Sequence, residues 1–193
     1  MQIKANIDDC ALIISNFLPQ ELFLKIVNYN FKINNKRTSH LDWGKNLYED
    51  FEQNKTMEEV KTSDSIGFFK KGKIEADDVI FENLIKIIVD CPFIPHRFDS
   101  KMSVRYYEYN KFSGINWHDD GTYTINYSFY IHNEWNKDWG GQTLIDSGRG
   151  LPLACYPEPN SLLVVKNKVF HKVCPITGPK KRKVLQIRGI FYE

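Results

Sequence analysis

The sequence predicts a mainly β protein, a sandwich of two packed antiparallel sheets closed as a jelly roll, with helices in its N-terminal half. Three observations lead there. Beyond residue 100 the chain breaks into short runs, "KMSVRYYEY", "YTINYSFYIHN", "GGQTLID", "NSLLVVKN" and "KVLQIRGIFYE", separated by Gly, Pro, Asn and Asp clusters. The runs are rich in Val, Ile, Tyr, Phe and Thr, which suit a pleated, half-buried surface, and their spacing is that of a sandwich or barrel. Aromatic residues make up 14% of the 193, with 13 Phe and 10 Tyr, which also favours strands. Helical periodicity, by contrast, lies before residue 100. A double-sheet jelly roll, or double-stranded β-helix, is the natural closure for this many short strands.

Taken in order, "ALIISNFLPQELFLKIVNYN" (11–30) reads as a short strand and then a helix opened by Pro19. Proline suits a helix start, and Leu22, Ile26 and Val27 keep helical spacing. Residues 34–75 are polar and weakly periodic, and Gly44, Gly67 and Gly72 would let them fold over a cleft as a lid. "DDVIFENLIKIIVDCP" (77–92) has acids at its start, an apolar stripe and a terminating proline, and so predicts a helix. The expectation is one domain over 1–193, with a helical support layer over 1–100 and a jelly-roll core over 100–193.

Composition narrows the function classes. A net charge of +2 is too small to argue for nucleic acid or an anionic membrane. "KKRK" (180–183) therefore reads as a solvated turn with one residue recruited inward. No apolar run reaches the roughly 18 residues of a membrane span. Cys10, Cys91, Cys155 and Cys174 are scattered, with no CxxC pair, and the opening "MQIKANIDDC" lacks a secretory apolar stretch. Reduced thiols in a cytoplasmic protein are the expectation.

The chemistry-bearing stretch is "NWHDDGTY" (116–123). A solvated loop entrance can carry the same residues. On an extended strand, however, His118 and Asp120 share a face while Asp119 points away. His171, in "KVFHKVCPI", can return beside them on a neighbouring strand. Two imidazoles and one carboxylate form a facial triad that suits Fe(II) and leaves positions open. Zinc hydrolases also combine His and carboxylate, but the helical HExxH motif is absent. A basic residue in "GPKKRKVLQIRGIFYE" and Tyr109, on the same strand face as Tyr107, could together meet a buried carboxylate.

From "RYYEYNKFSGINWHDD" through "FYIHNEWNKDWGGQTLI", "PNSLLVVKN" and "FHKVCPI" to "RKVLQIRGIFY", the chain resembles the Fe(II)/2-oxoglutarate-dependent dioxygenases, and within them the prolyl-hydroxylase-like group. The resemblance covers roughly residues 100–193. It implies iron held by His118, Asp120 and His171, with 2-oxoglutarate as co-substrate, O2 as oxidant and ascorbate as reductant. It implies that Arg182 anchors 2-oxoglutarate, with Lys181 as the rival, and that Tyr109 and Tyr130 hydrogen-bond it. Arg188 lies where relatives carry a bulky or basic residue near the co-substrate. The implied reaction hydroxylates an unactivated C–H bond of a prolyl residue in a peptide or protein. A free amino-acid hydroxylase, a nucleic-acid demethylase and a non-catalytic jelly-roll metal-binding protein are the alternatives. His132 stands where the group often has Asn and Gln142 where Glu is common; Asp120 argues against the halogenating branch.

Overall fold

The computed structural model describes residues 1–7, 10–37, 49–50, 55–56, 60–70, 73–94, 101–121 and 125–190. Within them the chain runs β1 (Gln2–Ile7), β2 (Ala11–Ser15), α1 (Gln20–Val27), β3 (Ile33–Arg37), the two-residue strands β4 (Glu49–Asp50) and β5 (Lys55–Thr56), β6 (Val60–Ser63), β7 (Gly67–Lys70), β8 (Lys73–Ala76) and α2 (Val79–Val89). There follow β9 (Lys101–Tyr109), β10 (Ile115–His118), β11 (Ile125–Tyr130), β12 (Thr143–Ile145), β13 (Leu153–Cys155), β14 (Leu162–Lys166), β15 (His171–Val173) and β16 (Arg182–Ile190).

Both helices form where the sequence places them. The Asp78 side chain caps α2 by accepting the Ile80 amide N–H at 3.0 Å, and Phe81, Leu84, Ile85 and Ile88 make its buried face. Pro19 sits at the mouth of α1, which buries Phe23 and Ile26. Neither helix is long and apolar enough to cross a membrane.

Every strand pairing among the described residues is antiparallel. The large sheet runs β1-β2-β14-β11-β16-β9-β6-β3, with β7 and β8 attached at β9; the small sheet runs β10-β15-β12-β13. Strand parity divides the large sheet's side chains between two cores. Val104, Tyr106, Tyr127, Phe129, Leu162, Val164, Leu185 and Ile187 pack with the helices. Tyr107, Tyr109, Tyr130, Leu163, Val165 and Val184 face Ile115, Ile145, Cys155 and Val173 of the small sheet.

The first hundred residues depart from a helical layer. They supply β1, β2, β3, β6, β7 and β8 to the large sheet, and among the described residues two helices lie on its outer face. Parts of 34–75 expected to form a lid are sheet strands as well. Buried Gly67 is no hinge: a Cβ there would lie 3.0 Å from Ala76 Cβ and Ile85 Cδ1, so the glycine admits close strand–helix contact. Gly44, Gly72 and most of residues 38–59 fall outside the described residues.

Two buried polar side chains pin loops to this frame. Asn160, at φ +53, accepts the Leu18 N–H and donates to the Leu18 carbonyl, both at 2.9 Å, tying the turn before β14 to the entry of α1. His132, just past β11, bonds the Pro157 carbonyl through Nε2 and lies against Trp135. It is held structurally and lies outside the metal-ligand cluster described below. The four cysteines, all among the described residues, form no disulfide.

Asn160→Ala strands a buried N–H and C=O, at roughly 1–3 kcal/mol each, so a loss of about 3 kcal/mol is expected in urea unfolding. A loss below about 1 kcal/mol would mean that the bracket is dispensable. Burial holds the His132 pKa down to about 4. The unfolded imidazole binds its proton near 6.5, so between these values the unfolded chain carries more protons, and stability falls as pH drops from 6.5 towards 4. At 1.36 kcal/mol per unit the window removes about 3 kcal/mol. His132→Asn should flatten this part of the stability–pH curve. Equal slopes for variant and parent would rule His132 out as its source.

Candidate metal centre

Antiparallel pairing of β10 and β15 sets His118 directly opposite His171. Residues far apart in sequence thus become cross-strand neighbours, with ring centroids 4.3 Å apart. Each ring is steered by its own strand: Nδ1 of His118 meets the Asn116 carbonyl at 2.7 Å, and Nδ1 of His171 meets the Val169 carbonyl at 2.9 Å. A carbonyl only accepts, so each neutral ring carries its proton on Nδ1 and bares the Nε2 lone pair. Burial, reinforced by the neighbouring His171, lowers the His118 pKa and favours that neutral form.

Asp120 completes the cluster from outside the strand. Strand β10 ends at His118, and a turn through Gly121 (φ +62) follows. Asp119 is engaged within this turn, accepting the Gly121 N–H at 3.1 Å. The Asp120 carboxylate instead lies 3.4 Å from His171 Nε2 and 4.0 Å from His118 Nε2. Strand parity anticipated which acid joins the histidines, but the turn places it there. Ligand atoms of His118, Asp120 and His171 all lie within 4.8 Å of one another, the only such cluster among the described residues. Their side chains are about one-tenth exposed.

Arg182 enters the same cleft as the first residue of β16, paired with Tyr109 on β9. Only 2% exposed, its guanidinium lies 4.8 Å from the Tyr109 ring centroid and 5.0 Å from that of Tyr130. Its Nη2 reaches Tyr130 Oη and Thr143 Oγ1, each at a long 3.4 Å, and its Nε is buried without a partner. Among the described residues no carboxylate pairs with it. Burial pushes the Tyr109 hydroxyl up to about 12, keeping it protonated and able to donate.

Lys181 has the opposite fate. Half exposed, it pairs with Glu108 at 2.6 Å on the far face of the sheet, as strand alternation requires. Arg188 shares the cleft face with Arg182 but lies at the Asp120 end, with Nη2 3.8 Å from Asp120 Oδ1. The cleft encloses about 450 Å3 of space, part of it open to solvent. Residue-by-residue reading of the sequence missed Thr143, Asn126, Ser128 and Gln186, which also line it. Alternation along "TINYSFY" and "RKVLQIR" is the signal that puts the last three on the inner face.

The donor set fits a metal of the ferrous type: two neutral imidazoles and a carboxylate on one side, with an open cleft beyond. A buried guanidinium with no carboxylate partner among the described residues fits the far carboxylate of a dicarboxylic acid.

Known proteins bear on this geometry. No curated protein matches the sequence. Residues 102–187 match the family model of the 2OG-Fe(II) oxygenase superfamily. The fold resembles a prolyl-4-hydroxylase from Pseudomonas putida, with TM-score 0.60, 14% identity and coverage of 95% of this chain and 94% of that one. It also resembles a Trichoplax adhaerens prolyl hydroxylase solved with a hypoxia inducible factor oxygen degradation domain peptide, with TM-score 0.62, 15% identity and coverage of 95% and 84%. A 2OG-Fe(II) oxygenase family oxidoreductase from Burkholderia pseudomallei gives TM-score 0.65 at 9% identity, with coverage of 98% and 92%. Residues 102–187 are thus similar to the 2OG-Fe(II) oxygenase superfamily, and the fold is that of the prolyl hydroxylase structures.

Proposed function

We propose that this dioxygenase hydroxylates an unactivated C–H bond, with a prolyl residue of a peptide or protein as its substrate. One observation carries the reaction type: a single cleft holds His118, Asp120 and His171 together with a buried, carboxylate-free Arg182. The prolyl assignment is supported by the fold, and a peptide by the Trichoplax relative's own bound peptide. The eight strands from β9 to β16 divide between the two sheets, in the orders β9-β16-β11-β14 and β10-β15-β12-β13, alternating except at the β12–β13 hairpin. We read this as a double-stranded β-helix.

In this reading His118, Asp120 and His171 hold Fe(II) through Nε2, a carboxylate oxygen and Nε2. Bound iron with 2-oxoglutarate and O2 supplies the oxidising chemistry, converting substrate C–H to C–OH with succinate and CO2 as co-products. The protein's residues bind and orient. Arg182 pairs the distal carboxylate of 2-oxoglutarate, and its partnerless Nε and long Nη2 contacts leave donors for that anion. Tyr109 and Tyr130 flank the guanidinium and fix its plane. Leu163, Val165 and Val173 wall the cleft with apolar surface, which strengthens each ionic contact inside.

Alanine at His118, Asp120 or His171 should abolish succinate formation in the presence of Fe(II), 2-oxoglutarate and ascorbate, whereas Asp119→Ala should retain it. A dead Asp119→Ala beside an active Asp120→Ala would reassign the ligand. Arg182→Ala should raise the 2-oxoglutarate requirement at least about thirty-fold, a buried charged partner being worth on the order of 2–5 kcal/mol. Lys181→Ala removes a half-exposed pair and should shift it less than about threefold. A gain of one oxygen in prolyl peptides, read by mass spectrometry, tests the substrate. Succinate release without such a gain on any prolyl peptide would leave the reaction type standing and sink the prolyl assignment.

A further inference from the structure

We propose that Asn126 is a positioning residue for Asp120, and that Gln186 and Ser128 lock its amide in the one orientation a carboxylate accepts. The proposal rests on the reading of Asp120 as a metal ligand. Asp120 follows the end of β10 on a turn, so no sheet hydrogen bonds fix its carboxylate. Asn126, on β11, is 7% exposed and donates from Nδ2 to Asp120 Oδ2. Its own Oδ1 accepts from Gln186 Nε2, and Gln186 Oε1 accepts from Ser128 Oγ at 3.0 Å.

Every link in this chain has a forced direction. An ionised carboxylate accepts only, so Asn126 must present its NH2 end. Its carbonyl then needs a donor, which requires the NH2 end of Gln186. The Gln186 carbonyl in turn needs a donor, and a hydroxyl, able to donate or accept, begins the series. Reversing Asn126 would set a carbonyl against the carboxylate. The β11–β16 register supplies the geometry: Ser128 pairs with Gln186, and Asn126 with the adjacent Arg188. A ligand on a turn is thereby braced by the two central strands of the large sheet. Arg188 approaches its other oxygen.

Co(II) serves as the probe, read by titration of the metal-free protein and by its ligand-field absorption bands. Asn126→Leu should weaken Co(II) binding about ten- to a hundredfold, the usual reach of groups that orient a ligand, and shift the bands. Gln186→Met frees the Asn126 amide to turn and should weaken binding by a smaller factor. The double variant should bind no worse than Asn126→Leu, because Gln186 acts only through Asn126. A merely structural role predicts lower melting temperatures with unchanged Co(II) affinity and bands, and that result overturns the proposal. So does a double variant whose loss is the product of the single losses. If Asn126→Leu fails to fold, Gln186→Met decides: weakened binding supports the brace and parental binding refutes it. Asp120→Ala separates the two levels. If it binds Co(II) like the parent, the ligand reading fails and the brace falls with it. If it loses Co(II) while Asn126→Leu does not, only the brace fails.

Discussion

The two-residue repeat of β16 is the constraint on which both the core and the cleft depend. Its register against β11 and β9 sends Leu185 and Ile187 into the core beneath the helices. The alternate residues Arg182, Gln186 and Arg188 enter the cleft, with Val184 in the inter-sheet core between them. A slip of one residue would drive two guanidinium groups into an apolar core and expel two of its buried aliphatic side chains. Packing energy and site geometry therefore select the same register. Such agreement between levels is what lets a sequence specify one structure.

The parts of the molecule legible in the sequence are those with two dissimilar faces. Strands β9, β11, β14 and β16 carry apolar, aromatic or β-branched residues, so "KMSVRYYEY" and "KVLQIRGIFYE" announce themselves. Helix α2 has an Asp cap and a buried stripe. Unlike β2, the N-terminal strands β1 and β3 carry no such signal. In β1, "QIKANI", four of the six residues are exposed, and β3, "INNKR", is mostly polar. A strand near a sheet's edge needs little apolar pattern, because its register is set by backbone pairing with a neighbour already in place. Polar segments such as β1 and β3 therefore form strands where sequence pattern predicts a helical layer and a lid.

The site divides along the same line. His118 and His171 stood out because histidine is scarce in this chain, and their meeting follows from one strand pairing. Arg182 and Lys181 are adjacent and both basic, so residue type alone left them as rivals; the pleat separates them, one inward and one onto Glu108. Asn126, Ser128 and Gln186 are common polar residues with no local motif. Their relation exists only after β11 and β16 are in register, and no window of sequence contains it.

The buried guanidinium is the feature that packing does not justify. Arg182 lies between two tyrosine rings with weak hydrogen bonds, one buried N–H without a partner and no carboxylate partner among the described residues. Cation–π contact returns only about 0.5–2 kcal/mol, less than an apolar residue of equal volume would gain from burial without desolvating a charge. Two such apolar neighbours, Val165 and Leu163, show that the cleft wall can be built that way. A charge kept where the fold alone gains nothing is best understood through what the cleft takes in. Under the proposed function an incoming dicarboxylate would supply the missing partner, and ligand affinity and apoprotein stability would then trade against each other at this one residue.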